Sequence, residues 1–432
     1  MSTAAAQDQI IIPDDIAKSV LLPASYANEA GIVHPALTWL RANMPFARAE
    51  VEGYAPTWLA TKHADIMEIE RTPTVFRSGL GEPYINSLVD TRFLSEMNEG
   101  RRGLDTLANM DAPEHTKIKN VTGSWFMPAN VRKREESIRA IARQSVEKLL
   151  SYGGEVDFFK DIALYYPLRV IMSLFGVPPE DEPTMLKLTQ DMFGNSDPDL
   201  QRKDVPATPE AAARAWRAAI LEFHEYFDKL ADDRRANPTD DLASIIANAQ
   251  VDGEPLPGSF VNGYYIAIAT AGHDTTSATT ATAVQQLAAH PEQLEAVRAD
   301  PSLIPGLVDE ALRWASPVKH FHRIIGEDTE FRGQQLRAGD SLMLMYPSAN
   351  RDEEVFTDPF SFDLTRKPNK HIAFGYGPHQ CLGQHVAKLE MRIFFEELLP
   401  RLKSIELAGP VSYVQANFLS GPKTLPIRFK AA

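Results

Sequence analysis

The chain has 432 residues, 44% of them hydrophobic and 24% charged, which gives it enough apolar surface for a large core. Its 44 basic and 58 acidic residues sum to a formal net charge of −14, which disfavours nonspecific binding to nucleic acid or to anionic membranes. A single cysteine cannot form an intramolecular disulfide, and the first ten residues lack the basic and apolar regions of a signal or anchor. We therefore expect a cytoplasmic protein without a membrane anchor.

Length alone would suggest two or three domains, but the sequence contains no linker and no internal repeat. We expect one domain over residues 1–432, with a β-rich lobe and an α-rich lobe that are not independent. The stretches 78–109 and 195–208 are the least patterned and are predicted to be long loops, which are usually functional.

Helical periodicity predominates along the chain, with proline and glycine near the ends of the predicted helices. The predicted helices cover residues 36–43, 62–71, 115–126, 132–151, 209–235 and 258–290. Alternating patterns at 51–60 and 341–346 predict strands. The fold class is therefore mainly α with small β-sheets (α+β).

The predicted helix 258–290 is apolar on nearly all sides from residue 264 to residue 271, as expected at the centre of a large protein. This apolar run is too short to span a membrane. The sequence Gly272-His273-Asp274-Thr275-Thr276 weakens the helix, since glycine costs about 1 kcal/mol relative to alanine and the polar side chains compete for backbone hydrogen bonds. Tight packing between helices is the alternative explanation for the glycine.

The only cysteine lies in Phe374-Gly375-Tyr376-Gly377-Pro378-His379-Gln380-Cys381-Leu382-Gly383, directly before a predicted helix. Glycine and proline at this spacing are typical of a loop that approaches a ligand closely. A following helix N-terminus lowers a thiol pKa and favours the thiolate, which binds metals. Zinc would need further ligands, so heme iron with one axial sulfur is the simplest partner. A buried structural cysteine and a cysteine-nucleophile hydrolase remain alternatives.

The pattern Phe-Gly-x-Gly-x-His-x-Cys-x-Gly, with Ala387 and Glu390 after it, closely resembles the heme-binding signature of the cytochrome P450 superfamily. The resemblance implies the cytochrome P450 fold, in which heme lies between a long central helix and the loop of the cysteine ligand. It implies heme b with Cys381 as the metal ligand and with Phe374 and Gly375 as further heme contacts.

Ala271-Gly272-His273-Asp274-Thr275 resembles the oxygen-binding motif of the same superfamily. The resemblance implies that Ala271 and Gly272 border the heme and that a widened helix at Gly272 makes room for O2. It implies catalytic roles for Thr275, which hydrogen-bonds dioxygen, and for Asp274, which delivers protons. Glu310 and Arg313 match the family's Glu-x-x-Arg helix, for which a structural role is implied.

The two heme propionates need cationic or hydrogen-bonding partners. By resemblance these are His115, Arg323 and His379. Lys119 stands where the family often has arginine, and it lacks the planar fork of arginine. It is therefore the weaker candidate for a two-point propionate contact.

A basic cluster near the implied proximal helix comprises Lys117, Lys119, Arg132, Lys133 and Arg134. The resemblance implies a ferredoxin with its NAD(P)H-dependent reductase as electron donor, and an acidic ferredoxin would dock on this cluster. A solvated surface is the alternative reading. We expect a monomer.

Thiolate ligation favours O–O cleavage, and the resemblance implies a monooxygenase that transfers one oxygen atom from O2 to a small hydrophobic substrate. Longer stretches such as Ala163-Leu164-Tyr165-Tyr166-Pro167-Leu168 resemble the family's bacterial members that oxidise alpha-terpineol, which implies a monoterpene or an alkyl-aromatic hydrocarbon. The implied substrate contacts are Ile85, Phe93, Ile268, Ala271, Val318, Phe321 and Leu419. The alternatives are a peroxide-using or oxygen-independent heme-thiolate enzyme and a heme-based binding or sensing protein.

Overall fold

The computed structural model describes residues 10–99, 103–193, 197–200 and 208–432. Helices dominate these ranges, and the strands form small sheets. The α+β class predicted from the sequence is confirmed.

The helices of the described residues are α1 Asp14–Leu21, α2 His34–Asn43, α3 His63–Arg71, α4 Leu88–Met97, α5 Glu114–Gly123, α6 Pro128–Val131, α7 Glu135–Ser151, α8 Tyr166–Phe175, α9 Glu182–Phe193, α10 Pro209–Ala236, α11 Leu242–Ala247, α12 Gly258–Ala271, α13 Asp274–Ala289, α14 Pro291–Ala299, α15 Ile304–Ala315, α16 Tyr346–Ala349 and α17 Gln384–Leu398. The strands are β1 Phe46–Ala49, β2 Thr57–Ala60, β3 Phe76–Arg77, β4 Glu155–Asp157, β5 Gln250–Val251, β6 Glu254–Pro255, β7 His320–Ile325, β8 Thr329–Phe331, β9 Gln334–Leu336, β10 Ser341–Met345, β11 Leu402–Leu407, β12 Ser412–Tyr413, β13 Pro422–Thr424 and β14 Pro426–Ala431.

The largest sheet has the strand order β1-β2-β10-β7-β3. β10 runs parallel to β2 and antiparallel to β7, with Leu342 opposite Arg323. Because side chains alternate along a strand, β7 directs Phe321 and Arg323 to one face and His320 and His322 to the other. The sheet therefore fixes on which face each of these four side chains lies.

The long central helix predicted for residues 258–290 is two helices, α12 and α13. The N–H of His273 donates to the carbonyl of Thr270, three residues earlier, at 3.3 Å, so the turn between the helices is tightened. Glycine at position 272 makes this break inexpensive. Most residues of both helices are buried, as the apolar sequence predicts.

The predicted loop 78–109 contains α4, and this part of the prediction is wrong. Ser87 caps the helix by accepting a hydrogen bond from the backbone N–H of Asp90 at 3.0 Å. No residue of α4 is buried. A helix without a buried face does not need a regular spacing of apolar residues, which is the pattern that identifies most helices in a sequence. The other predicted loop, 195–208, lies mostly outside the described residues.

Three other predicted elements are shorter than expected. The strand predicted for 51–60 is only β2, because the chain turns at Gly53 with a φ of +85°. The helix predicted for 115–126 ends at Gly123, and the strand predicted for 341–346 ends at Met345. In the part of the chain that the structure describes, no helix combines the length and apolar character needed to cross a membrane.

Candidate active site

The loop before α17 presents the only cysteine. Gly375 and Gly377 both have a φ of +67°, the left-handed conformation that glycine adopts without strain. A Cβ atom at Gly377 would lie 2.4 Å from the carbonyl oxygen of Glu70, so the loop packs directly against α3. The N–H of Cys381 donates to the carbonyl of Phe374 at 2.8 Å and closes the loop. The glycine spacing noted in the sequence is therefore required by the backbone.

Cys381 is accessible to solvent, although much of the protein lies around it. Burial raises the pKa of the thiol, whereas the backbone N–H groups of Gly383 and Gln384 and the charge of Lys119 act in the opposite direction. The net shift is upward, so the predicted lowering of this pKa is wrong. The predicted helix N-terminal N–H groups do face the sulfur, and they favour the thiolate that a metal binds.

Lys119 is tied to the loop of the cysteine. Its ammonium donates to the carbonyl of Pro378 at 2.5 Å and to that of Gln380 at 3.3 Å. Burial lowers the pKa of Lys119, and the neighbouring Cys381 partly offsets this effect. Lys119 therefore joins α5 to the loop and places a positive charge near the sulfur.

His115, Arg323 and His379, predicted from separate parts of the chain, lie together in the structure. The rings of His115 and His379 are 4.1 Å apart between centroids. Burial and the nearby charge of Lys119 lower the pKa of His115 to about 4, and burial and the charge of Arg323 lower that of His379 to about 3. The cluster therefore combines one buried cation with two neutral rings.

Glu70, which the sequence analysis missed, lies beside this cluster. Its carboxylate is 3.8 Å from the guanidinium of Arg323 and accepts a hydrogen bond from Tyr346 at 2.8 Å. Burial raises the pKa of Glu70 to about 7, although Arg323 and Tyr346 oppose the shift. A signal was present in the sequence, since Glu70 lies on the same helical face as the apolar Ile66.

The break between α12 and α13 positions the predicted oxygen-binding residues. The hydroxyl of Thr275 donates to the carbonyl of Ala271 at 2.8 Å, across the break. A Cβ atom at Gly272 would lie 3.0 Å from Ile171, so this glycine also packs closely against α8. Helix packing, the alternative explanation, and the weakened helix therefore coexist at Gly272.

Asp274 begins α13 beside the fully buried His273. The ring Nδ1 of His273 is 3.4 Å from the Asp274 carboxylate, and its Nε2 is 2.7 Å from the carbonyl of Leu164. Burial raises the pKa of Asp274, and His273 partly offsets the shift. A carboxyl group whose pKa is raised in this way holds a proton more readily near neutral pH.

Two buried polar residues lie where α13 and α17 face each other. Thr276 follows the predicted oxygen-binding residues on α13, and Glu390 lies nine residues after Cys381 on α17. Both residues are buried, at 3% exposure each. Burial raises the pKa of Glu390 well above its usual value, and the nearby Thr276 partly offsets the shift.

Glu310 and Arg313 form an ion pair with both side chains fully buried. The guanidinium donates to the carboxylate at 2.8 and 2.6 Å and to the carbonyls of Asn350 and Pro359. A pair at this spacing is ordinarily a solvated surface feature. Here it joins α15 to the segment that leads to the cysteine loop.

Several of the predicted substrate contacts come together. Val318 and Leu419 form an isolated β-bridge, and the ring of Phe321 is 5.9 Å from that of Phe418. Ile85 and Ile268 are buried, Ala271 is exposed, and Phe93 is half-buried on α4.

The side chains of the site fit a heme. The exposed Cys381 sulfur has two N–H groups directed at it, and among the described residues the buried Arg323 has one carboxylate nearby, that of Glu70 at 3.8 Å. A planar macrocycle with iron at its centre and two carboxylates at its edge satisfies both arrangements. The residues present therefore fit a heme with a cysteine ligand.

Comparisons with known proteins agree with a heme-binding site. The cytochrome P450 family model matches residues 90–410. The chain is 51% identical over 423 residues to cytochrome P450-terp of a Pseudomonas species, covering 98% of this chain and 99% of that protein. It is 34% identical over 401 residues to a steroid C26-monooxygenase of Mycolicibacterium smegmatis, covering 92% and 93%. The crystal structure of CYP108D1 from Novosphingobium aromaticivorans has a TM-score of 0.91 at 41% identity, covering 98% and 100%.

The chain therefore belongs to the cytochrome P450 family. It is a heme-dependent monooxygenase that uses O2, which confirms the enzyme class predicted from the sequence.

Proposed function

We propose that this cytochrome P450 hydroxylates a monoterpene or a similarly sized alkyl-aromatic hydrocarbon, with electrons from a ferredoxin and its NAD(P)H-dependent reductase. The observation that carries the substrate class is the 51% identity, over 98% of the chain, to cytochrome P450-terp, which agrees with the resemblance of the sequence to bacterial members that oxidise alpha-terpineol. The steroid-oxidising relative is more distant, at 34% identity.

The apolar residues near the site support a small substrate. The aromatic rings of Tyr84 and Phe418 stack at 4.6 Å, and Phe321 packs edge-on against Phe418 and Tyr346. Rings in such arrangements fill volume with stiff side chains, so they leave less room than flexible aliphatic residues would. We assign substrate contacts to Ile85, Phe93, Ile268, Ala271, Val318, Phe321 and Leu419.

Heme b is the proposed cofactor, with Cys381 as axial ligand and with Phe374, Gly375, Ala271 and Gly272 bordering it. When bound, it supplies the chemistry in which O2, two electrons and two protons give one hydroxylated product and one water. Arg323, His115 and His379 would hold the propionates by charge and hydrogen bonds. Lys119 already donates to two loop carbonyls and has one N–H left for a propionate.

Two residues are assigned to proton delivery and to hydrogen bonding at the oxygen site. Asp274, whose pKa is raised by burial, would hold and pass on a proton more readily than an ordinary carboxyl group. Thr275 would hold a hydrogen bond at the place where O2 binds, with its hydroxyl already oriented by the carbonyl of Ala271. Proton delivery by Asp274 is general acid catalysis, which contributes about 10²–10⁴ in rate.

The ferredoxin is assigned to a groove close to the start of α17. The groove is lined by Pro128, Val131, Arg132, Pro305, Val308, Asp309, His385, Lys388, Leu389 and Arg392. Of the predicted basic cluster, Lys117 and Arg134 pair with Asp252 and Asp240. Arg132 and Lys133 are both exposed and have no ion pair within the described ranges, and of the two only Arg132 lines the groove. Arg132 is therefore the cation of this cluster that would meet an acidic partner in the groove.

Substrate class is tested by the spin-state shift of the purified holoenzyme. We expect alpha-terpineol or p-cymene to give a saturable shift to high spin and a hydroxylated product with a ferredoxin system. The same shift is measured with a steroid for comparison. A saturable shift with the steroid and none with the small hydrocarbons would overturn the substrate class while leaving the monooxygenase intact.

Docking is tested by Arg132→Glu. We expect the KM for an acidic ferredoxin to rise about tenfold, roughly the 1.4 kcal/mol of one well-placed charge, with kcat at saturating ferredoxin unchanged. Lys133→Glu is the matched control, since Lys133 is adjacent but does not line the groove. An equal effect of both variants would contradict a site centred on Arg132.

A further inference from the structure

His320 joins three segments that carry proposed substrate contacts. It is the first residue of β7 and is fully buried. Its Nε2 is 3.1 Å from the backbone nitrogen of Ile85, and its Nδ1 is 2.8 Å from the carbonyl oxygen of Asn417. One side chain therefore bridges β7, the loop after β3 and the turn that precedes β13.

These partners fix the tautomer of the ring. A backbone nitrogen only donates and a carbonyl oxygen only accepts, so Nε2 is the acceptor and Nδ1 carries the proton. Burial lowers the pKa of His320 to about 3, which keeps the ring neutral at physiological pH. Only a side chain with one acceptor and one donor on opposite sides makes both bonds.

The same three segments are joined at further points. The N–H of Lys319 donates to the carbonyl of Phe418 at 2.7 Å, and the N–H of His322 donates to the carbonyl of Pro83 at 2.8 Å. The ring of Phe418 lies edge-on to that of His320 at 5.8 Å. His320 thus lies at the centre of the connection, behind the residues proposed to touch substrate.

We propose that His320 is a specificity-determining positioning residue, which sets the shape of the substrate pocket by holding Ile85 and the turn at Phe418 against β7. The inference rests on the proposed substrate site and extends it. His320 itself touches neither substrate nor heme, so its effect is on which molecules fit and not on the chemistry at the iron.

The test compares His320→Leu with His320→Gln. Leucine removes both bonds, whereas glutamine retains one acceptor and one donor. His63→Leu is the matched control, because His63 is also buried and its Nε2 contacts the carbonyl of Lys370, outside the three segments. All three are compared with the natural holoenzyme.

The probes are imidazole, 4-phenylimidazole and alpha-terpineol. In His320→Leu we expect the ratio of affinities for 4-phenylimidazole and imidazole to change at least fivefold and terpineol binding to weaken about tenfold. The carbon monoxide band of the reduced heme should be unchanged, and hydrogen exchange should accelerate in the peptide that contains Ile85. His320→Gln should restore most of the affinity ratio, and His63→Leu should leave it unchanged.

An unchanged affinity ratio in His320→Leu, or an equal change in His63→Leu, overturns the proposal. The imidazole probes separate this outcome from failure of the proposed substrate class. If the natural enzyme binds no terpene but the ratio still changes in His320→Leu, the positioning role stands and the substrate class is wrong.

Discussion

The hydroxyl of Thr275 donates to the carbonyl of Ala271 at 2.8 Å, across the break in the central helix. The carbonyl of Ala271 would otherwise lack a partner at the end of α12, because helices leave their last carbonyls unsatisfied. Thr275 therefore both closes the break and keeps its hydroxyl at a defined position beside the site.

Replacing Thr275 separates these two effects. In Thr275→Ala we expect the product formed per NADH consumed to fall by about tenfold, with peroxide formed instead, because the hydroxyl positioned beside the oxygen site is lost. Thr275→Ser should retain most of the coupling. The control is Thr279→Ala, which removes the corresponding hydroxyl bond to the carbonyl of Thr275 one turn later. Equal uncoupling in Thr275→Ala and Thr279→Ala would contradict the assignment.

Breaking the ion pair of Glu310 and Arg313 should prevent normal folding. Removing one partner of a fully buried pair costs about 3–5 kcal/mol, because the other charge stays buried without compensation. We expect Glu310→Gln to yield little heme-loaded protein, measured by the carbon monoxide band per milligram. Asp232→Asn removes an exposed pair of the same spacing with Arg235 and should change stability by less than about 1 kcal/mol. A normal yield of Glu310→Gln would contradict the structural role.

The local features of the site were predictable from the sequence. Gly375, Gly377 and Cys381 lie within one turn-rich loop, and the weakness predicted at Gly272 lies where the single predicted helix is broken into α12 and α13. Both patterns act over a few residues, so the sequence displays them directly.

The connections that orient the site were not predictable in this way. His320 contacts residues 235 and 97 positions away, and Glu70 contacts Tyr346 at a separation of 276. Such contacts arise only when the sheet brings distant segments together. The pKa of Cys381 was mispredicted for the same reason, since burial by distant segments outweighs the local N–H groups.

Replacing Lys119 should change the reduction potential of the heme. Its positive charge near the sulfur stabilises the thiolate, and its two hydrogen bonds hold the loop. In Lys119→Gln we expect a more negative reduction potential and faster loss of the thiolate-type carbon monoxide band on warming. Lys119→Arg should keep the potential close to its original value. Lys117→Gln, which removes an exposed cation two residues away, is the control, and an equal shift there would indicate only a general charge effect.

Glu70 predicts how stability depends on pH. Its folded-state pKa is raised from the usual 4.5 to about 7, so the folded protein binds more protons than the unfolded chain between these values. This contribution to stability is fully present below pH 4.5 and is lost as pH rises through 7, by about 3 kcal/mol in total. Glu70→Gln cannot ionise, so from pH 5 to pH 8 its unfolding free energy should rise by about that amount relative to the natural protein. Chemical unfolding at the two pH values measures this change.

The control is Glu68→Gln, which changes an exposed residue on the same helix. Its unfolding free energy should differ from that of the natural protein by the same amount at pH 5 and at pH 8. If the unfolding free energies of Glu70→Gln and the natural protein changed equally with pH, the proposed shift of the Glu70 pKa would be wrong.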